Sequence, residues 1–262
     1  MQINNKYGEA WSRNELILAL FFYCQIPFKH TKAGNEEVIR LASILRRTPS
    51  SVARKLGNFG SFDPLLAQKG IKGLIHVSKG DKEVWEEFFG RWDALVTEAS
   101  TILSRIDNVS FNDFEEAATD SILAMPQGPS SETRLVEVRR HQSFFRRAVL
   151  SSYRFSCCVC GLNVPKMLVA SHIVPWSENE HTRADPQNGL CLCALHDRAF
   201  DNGFLSIDGE LIVHLSSVIR QSESPMLAAY FLDFEKHSMR LPDRFTPNAI
   251  YLDWHFKNRL IV

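Results

Sequence analysis

Five of the six cysteines in this chain lie between Cys157 and Cys193, within 37 positions, whereas Cys24 stands alone. Six cysteines in 262 residues are too few for the disulfide scaffold of a small secreted domain. The clustering instead indicates either a bound metal or packed thiols in the second half of the chain. Any fold for this sequence has to bring these cysteines close to one another.

The composition is that of a folded protein with about two domains. One hydrophobic core usually organises about 100 to 150 residues, and this chain has 262. Hydrophobic content of 45% and charged content of 23% exclude a disordered or collagen-like chain. Thirty Lys and Arg balance thirty Asp and Glu, so any surface that binds a polyanion must be local.

Neither a membrane segment nor a secretory signal is visible in the sequence. The longest apolar run covers residues 16–24, whereas a helix that crosses a bilayer needs about 20 apolar residues. Residues 1–15 are polar and lack the apolar core of a signal peptide. We therefore expect no membrane association and a cytoplasmic location.

Three short helices are predicted near the start of the chain. Ser12 followed by Glu15 has the capping-box spacing and predicts a helix that continues to about residue 23. Apolar residues three and four positions apart predict a second helix over residues 38–45, and a third over 51–58 follows a tight turn. This order resembles a helix-turn-helix or Myb-like unit. One further helix is predicted over residues 82–103.

Two segments are locally basic. Residues 38–62 carry five cations and no acid, and residues 134–154 carry six arginines against the single acid Glu137. The first segment is either a solvated helix face or a phosphate-binding surface, and the second is either a connecting helix or a polyanion-binding one. The candidate DNA contacts in these segments are Arg46, Arg47, Arg54, Lys55, Arg146 and Arg147.

The prolines and small polar residues near position 128 predict a linker. We therefore assign residues 1–120 to a helical domain for DNA recognition or regulation, 121–133 to the linker and 134–262 to a second domain.

Three signals follow one another in the second domain. They are Cys157-x2-Cys160, then His172 after a short predicted strand over residues 167–170, then Asn188 followed eight residues later by His196. A helix is predicted over residues 190–200 and a return strand over 204–207. This layout of two strands and a helix can hold a divalent metal between a strand residue and a helix residue.

His172, Asn188 and His196 resemble, in order and spacing, the ββα-metal motif of the HNH endonuclease family. The stretches 170–176, 188–190 and 195–201 are similar to the branch found in bacterial restriction and defence proteins, and the similarity covers about residues 145–210. A weaker resemblance over residues 11–52 is to a segment that often precedes this nuclease. The resemblance implies an α+β fold, with a helical N-terminal domain before an HNH nuclease domain that has a C-terminal extension.

The resemblance also implies a role for each motif residue. His172 would act as the general base, since imidazole titrates near neutral pH, and Asn188 would hold either His172 or the metal loop in place through its amide. His196 would bind a divalent ion, Mg²⁺ or Mn²⁺, with Ni²⁺ or Co²⁺ as further options, and Asp201 would be the second ligand. Ser171 departs from the family pattern, which places a metal-binding Asp or His before the general base.

Relatives with a structural zinc carry two Cys-x2-Cys pairs, and this sequence has a second pair with only one intervening residue. The candidate zinc ligands are Cys157, Cys160, Cys191 and Cys193. Packed thiols without zinc remain the alternative.

The expected function is metal-dependent hydrolysis of DNA phosphodiesters in restriction or anti-phage defence, with modified DNA as one candidate substrate. One active site per chain implies a homodimer for cutting both strands. Two alternatives stay open at this point: an HNH-fold DNA-binding protein without catalysis, which Ser171 permits, and a nuclease for RNA or single strands.

Overall fold

A computed structural model describes residues 6, 8–70, 77–106, 131–176, 178 and 182–261. The chain divides into two compact units, Met1–Ala148 and Val149–Val262. The predicted linker falls on residues outside the described ranges except for 131–133, which begin a helix. The division between the units lies inside that helix and thus after the predicted start of the second domain at residue 134.

The first unit is helical. Its helices are α1 (Arg13–Gln25), α2 (Glu36–Leu45), α3 (Pro49–Gly60), α4 (Pro64–Gln68), α5 (Lys79–Phe88), α6 (Trp92–Ser104) and the greater part of α7 (Ser131–Ser152), with a short 3-10 helix at Phe28–His30. The predicted first three helices are confirmed as α1, α2 and α3. The single helix predicted over 82–103 is wrong, because the chain turns at Gly90, whose φ of +80° favours glycine, and divides it into α5 and α6.

Helix α1 is the centre of the first unit. The capping box is formed as predicted, since the Ser12 side chain accepts from the Glu15 backbone and Glu15 accepts from the Ser12 backbone. Residues 15–25 are all buried, because α2, α3, α5 and α6 pack around this helix. Tyr23 lies in an aromatic cluster with Phe59 and Trp85. The unit is therefore organised by a continuous apolar core.

The second unit contains the small sheets. Its elements are β1 (Leu168–His172), β2 (Gly189–Cys193), α8 (Ala194–Asp201), β3 (Leu205–Ile207), β4 (Val213–Leu215), α9 (Ser217–Arg220), α10 (Pro225–Tyr230) and α11 (Ala249–Arg259), with 3-10 helices at Pro165–Met167, Pro186–Asn188 and Leu232–Phe234. Together with the helical first unit, this is the α+β class that the sequence predicts.

Strands β1 and β2 form an antiparallel pair in which His172 lies opposite Gly189 and Leu168 lies opposite Cys193. Helix α8 follows β2 directly and packs against both strands. The helix predicted from residue 190 therefore begins later, at Ala194, because residues 189–193 pair with β1. The predicted return strand is confirmed as β3, which pairs with β4 and packs against α11. Strands β1 and β2 and helix α8 thus form a ββα unit, and the β3–β4 hairpin follows it in the chain.

Among the described residues, no helix is both long enough and apolar enough to cross a membrane.

Candidate functional site

Three cysteines and one histidine form a compact cluster at the junction of β2 and α8. The ligand atoms of Cys157, Cys160, Cys193 and His196 all lie within 4.8 Å of one another. Nδ1 of His196 is 3.2 Å from Sγ of Cys193 and 3.6 Å from Sγ of Cys157, and the sulfurs of Cys160 and Cys193 are 4.0 Å apart. Three of the five clustered cysteines thus converge with one histidine.

These separations fit a tetrahedral zinc ion. With Zn–S bonds of about 2.3 Å and Zn–N bonds of about 2.0 Å, the ligand atoms would be roughly 3.5 to 3.8 Å apart. Nε2 of His196 lies 2.8 Å from the backbone oxygen of Tyr230, and donating to this oxygen leaves the Nδ1 lone pair facing the sulfurs. Hydrogen bonds among the thiols lower the pKa of Cys157 and raise the pKa of Cys160, because the neighbouring sulfurs share one negative charge. A zinc ion would bind all three as thiolates.

The predicted zinc ligand set needs one correction. Cys191 is not a member of the group, and its backbone oxygen accepts a hydrogen bond from the backbone of Cys158. His196 takes the fourth place, because it lies one helical turn after Cys193 at the start of α8. The sequence carried this signal, since Cys193-x2-His196 repeats the spacing of Cys157-x2-Cys160.

His172 ends strand β1 and is half-buried. Its Nε2 lies 3.0 Å from the backbone oxygen of Arg183 and 2.9 Å from Nε1 of Trp176. With Nε2 protonated, the ring donates to Arg183 and Nδ1 keeps its lone pair; with Nε2 unprotonated, the ring accepts from Trp176. Burial lowers the pKa of His172 to about 4, with the Arg183 oxygen acting in the opposite sense. The imidazole is therefore neutral at physiological pH.

Asn188 is fully buried just before β2. Its Oδ1 accepts from the Val174 backbone at 2.9 Å, and its Nδ2 donates to the Val174 oxygen at 3.0 Å. The same Nδ2 lies 3.2 Å from Oγ1 of Thr182. The side chain amide thus fastens the chain that follows His172 to the start of β2.

A second polar group lies on the helix side of the ββα unit. Asp197 is followed one turn later by Asp201, so both carboxylates lie on one side of α8. Burial and the charge of Asp201 raise the pKa of Asp197 to about 6, whereas the Ser171 hydroxyl favours its charged form. Ser171 is buried on β1 and faces this carboxylate. The sequence motif did not point to Asp197, because the family pattern assigns the metal to the histidine before it.

Two of the candidate DNA contacts are used inside the first unit. The Arg47 guanidinium is buried, bonds both oxygens of Glu15 at 2.9 Å and donates to backbone oxygens. Nζ of Lys55 is 2.7 Å from Oδ1 of buried Asp81. Both cations are therefore held by buried carboxylates, and their contact with phosphate stays a prediction.

The remaining candidate cations are more accessible. Arg46 and Arg54 are exposed on the first unit, and Arg146 and Arg147 are half-buried on α7. Arg147 forms an ion pair with Glu37 at 2.9 Å.

Residues 157–208 match the family model of HNH endonucleases. A comparison with solved structures gives a modification-dependent TagI restriction endonuclease, with 23% identity and a TM-score of 0.31. That alignment covers 42% of this chain and 35% of the other, so this chain corresponds to about a third of that structure. Comparison with curated proteins gives no match.

Proposed function

Since the chain contains an HNH endonuclease domain at residues 157–208, we propose that it is a metal-dependent DNA endonuclease of restriction or anti-phage defence. The observation that carries this proposal is the position of His172. The residue lies on β1, is neutral at physiological pH and has one ring nitrogen held by a backbone oxygen. A cytoplasmic location agrees with such a role and belongs to the same proposal.

His172 is the general base in this proposal. In the active tautomer Nε2 donates to the Arg183 oxygen, so Nδ1 accepts the proton of the attacking water. A low pKa makes the imidazole a weaker base but keeps it unprotonated across the physiological range. Asn188 acts through position, because its paired hydrogen bonds to Val174 fix the loop that leaves His172.

We assign the catalytic divalent ion to Asp197 and Asp201, and the cluster with His196 to zinc. Carboxylate oxygens suit Mg²⁺ and Mn²⁺, whereas three sulfurs and an imidazole suit zinc. The Ser171 hydroxyl faces Asp197 from the strand position where the family pattern places a metal-binding residue, which supports this face as the site of the ion. When bound there, a divalent ion would polarise the phosphodiester and stabilise the leaving oxygen.

The sequence-based assignment gave the catalytic metal to His196 and Asp201. Our proposal keeps Asp201 and replaces His196 with Asp197, because Nδ1 of His196 faces two sulfurs and its Nε2 faces the Tyr230 oxygen. Both ring nitrogens of His196 are thereby engaged. Ni²⁺ and Co²⁺ remain acceptable substitutes at a carboxylate site that water completes.

A homodimer is part of the proposal, since one catalytic unit per chain cuts one strand at a time. Sedimentation of the protein with and without a DNA duplex tests it. A complex with two chains per duplex supports the dimer, and one chain per duplex contradicts it.

The first experiment concerns the general base. His172→Ala should lower plasmid cleavage by about 10² to 10⁴, with DNA affinity retained, because the base acts in the chemical step. His237→Ala is the matched control, since His237 is an exposed histidine of the same unit. Cleavage is measured with Mg²⁺ and Mn²⁺ on methylated and unmodified plasmid.

Full activity of the His172→Ala protein would contradict the assignment. Wild-type protein that binds DNA but never cleaves it would favour the non-catalytic alternative. Faster cleavage of RNA or single strands than of duplex DNA would favour the alternative of a nuclease for RNA or single strands.

The second experiment separates the two metal sites. Asp197→Asn should raise the concentration of Mg²⁺ or Mn²⁺ needed for half-maximal cleavage by roughly 10-fold or more, because the ion loses one charged ligand. Asp233→Asn, at an exposed position, should leave this concentration unchanged. An unchanged metal requirement in Asp197→Asn places the ion elsewhere.

A further inference from the structure

A cavity of about 420 Å³ opens on the first unit between α1, α2 and α6. Its inner wall is aliphatic, with Leu18 from α1, Ile44 from α2 and Ile102 from α6. Sites for small organic ligands typically measure about 300 to 1,000 Å³ and have mostly apolar walls. The cavity therefore has the size and lining for an organic molecule of modest dimensions.

The polar residues that line the cavity carry excess positive charge. Lys6, Arg46 and Arg105 are cations, and Glu15 is the one acid among the described lining residues. Buried Arg47 already neutralises Glu15 through two hydrogen bonds at 2.9 Å. Burial opposes ionisation of Glu15, but the hydrogen bonds from Arg47, the Ser12 backbone and Lys6 lower its pKa to about 2. The cavity is therefore complementary to an anion.

Arg46 occupies a costly backbone position. It caps the C-terminus of α2 with φ +55°, where glycine or asparagine is favoured. Within the described part of the first unit it is the one non-glycine residue with positive φ. A strained position that carries an exposed guanidinium at a cavity indicates a use for that side chain.

Asn14 adds a neutral polar group to the same lining and is exposed on α1. A carboxamide offers both a donor and an acceptor, the pair of groups that nucleobase edges present. Aliphatic walls for a flat ring, an amide for its edge and arginines for a phosphate occur together here.

We propose that this cavity binds a nucleotide that carries a terminal phosphate. The base packs on the aliphatic wall with its edge at Asn14, and the phosphate binds Arg46 and Arg105. The same chemistry occurs in a free mononucleotide and in an unpaired 5′-phosphorylated end of a nucleic acid. This site belongs to the helical unit and does not depend on the nuclease proposal.

The test is calorimetric titration of the full chain carrying His172→Ala, so that nucleic acid probes are not cut. The probes are dAMP, dGMP, dCMP, dTMP, the corresponding nucleosides and inorganic phosphate. At least one mononucleotide should bind roughly 10-fold more tightly than inorganic phosphate or its own nucleoside, because the base and the phosphate both contribute.

Arg46→Gly is the decisive variant. Glycine relieves the positive φ, so the melting temperature should not fall, whereas nucleotide affinity should drop by roughly 10-fold or more with the lost charged hydrogen bonds. Arg91→Gln is the matched control, since Arg91 is an exposed arginine of the same unit that does not line the cavity. It should leave nucleotide affinity unchanged.

A second arm identifies the source of the ligand. Single-stranded oligonucleotides with a 5′-phosphate and with a 5′-hydroxyl are compared, so that binding by the nuclease unit cancels. A preference for the 5′-phosphate that Arg46→Gly abolishes assigns the site to nucleic acid ends, and mononucleotide binding without that preference assigns it to free nucleotides. The proposal is overturned by no binding in either arm, by equal affinity for nucleotide and inorganic phosphate, or by an Arg46→Gly protein that binds normally.

Discussion

The two units of this protein are stabilised in different ways. The first surrounds helix α1, which is buried over residues 15–25, with four other helices and an aromatic cluster. The second has strands of only five and three residues, and its converging cysteines and histidine lie where β2 meets α8. A large apolar core folds without help, whereas short elements around a structural metal depend on the ion, and we propose that the second unit is of this kind. The units should therefore respond differently to metal removal, charge removal and acid.

Both units also bury polar groups, but for different purposes. In the first, Arg47 and Lys55 neutralise buried carboxylates, which ties helices together. In the second, the buried amide of Asn188 fixes a loop next to His172. Buried polarity thus supports the fold in the first unit and positions the site in the second.

The largest expected effect is loss of the zinc that we propose at Cys157, Cys160, Cys193 and His196. Cys157→Ser should open the second unit, because structural zinc in small domains contributes on the order of 10 kcal/mol of folding free energy. Hydrogen exchange should increase across β1, β2 and α8 and stay unchanged in α1. Cys24→Ser is the control, since Cys24 lies in α1 and outside the cluster. Unchanged exchange in the second unit would show that the cysteines only pack.

Removal of a buried charge should affect the first unit instead. Lys55→Ala should lower the free energy of unfolding by about 3 to 5 kcal/mol, because buried Asp81 loses its ion-pair partner. Its neighbour Arg54 is exposed, so Arg54→Ala should change stability by less than about 0.5 kcal/mol. Denaturant unfolding measures both.

The same pair of variants tests DNA binding. If Arg54 contacts phosphate, Arg54→Ala should lower the salt dependence of affinity by about one charge, with a slope change near 0.9. Equal effects of the two variants on stability would contradict the burial of Lys55.

The smallest expected effect is a difference in acid sensitivity. Burial lowers the pKa of His255 in the second unit to about 4, with the Phe200 backbone acting in the opposite sense. The unfolded chain takes up this proton near pH 6.5, so the second unit should lose stability as pH falls from 6.5 to 4, on the order of 3 kcal/mol for this histidine.

In the first unit, Glu15 has a pKa lowered to about 2, so its contribution is complete above pH 4.5 and is lost only as pH falls toward 2. Hydrogen exchange at pH 7, 5 and 4 should therefore show the second unit opening first. His237→Ala should leave this order unchanged. If the first unit opens at a higher pH than the second, the expected order is wrong.

The sequence predicted what depends on local chemistry. Capping at Ser12 and the apolar spacing of α2 are properties of a few neighbouring residues, and they predicted α1 and α2 well. Residues 190–193 were predicted as helix because a short apolar run has no distinctive period, and pairing with β1 decides in favour of a strand. Tertiary pairing of this kind is not written in the local pattern.

The site shows the same division. The order of His172, Asn188 and His196 identified the ββα unit, but the partner of each side chain depends on what packs against it. His196 lies among sulfurs because Cys157 and Cys160, which are more than 30 residues earlier in the sequence, lie next to the start of α8 in the fold. The local sequence shows Arg47 and Lys55 as part of a basic patch. It does not show that buried Glu15 and Asp81 are their partners.

In our proposal Cys157, Cys160, Cys193 and His196 hold zinc, and Asp197 and Asp201 hold the catalytic ion at a separate site. The most direct measurement is elemental analysis of the purified protein and of two variants, after dialysis against buffer without metal. We expect one zinc per chain in the wild type, loss of that zinc in Cys157→Ser, and full retention in Asp197→Asn despite its raised requirement for Mg²⁺ or Mn²⁺. Loss of zinc in Asp197→Asn, or a wild-type protein that holds no zinc, would contradict this proposal.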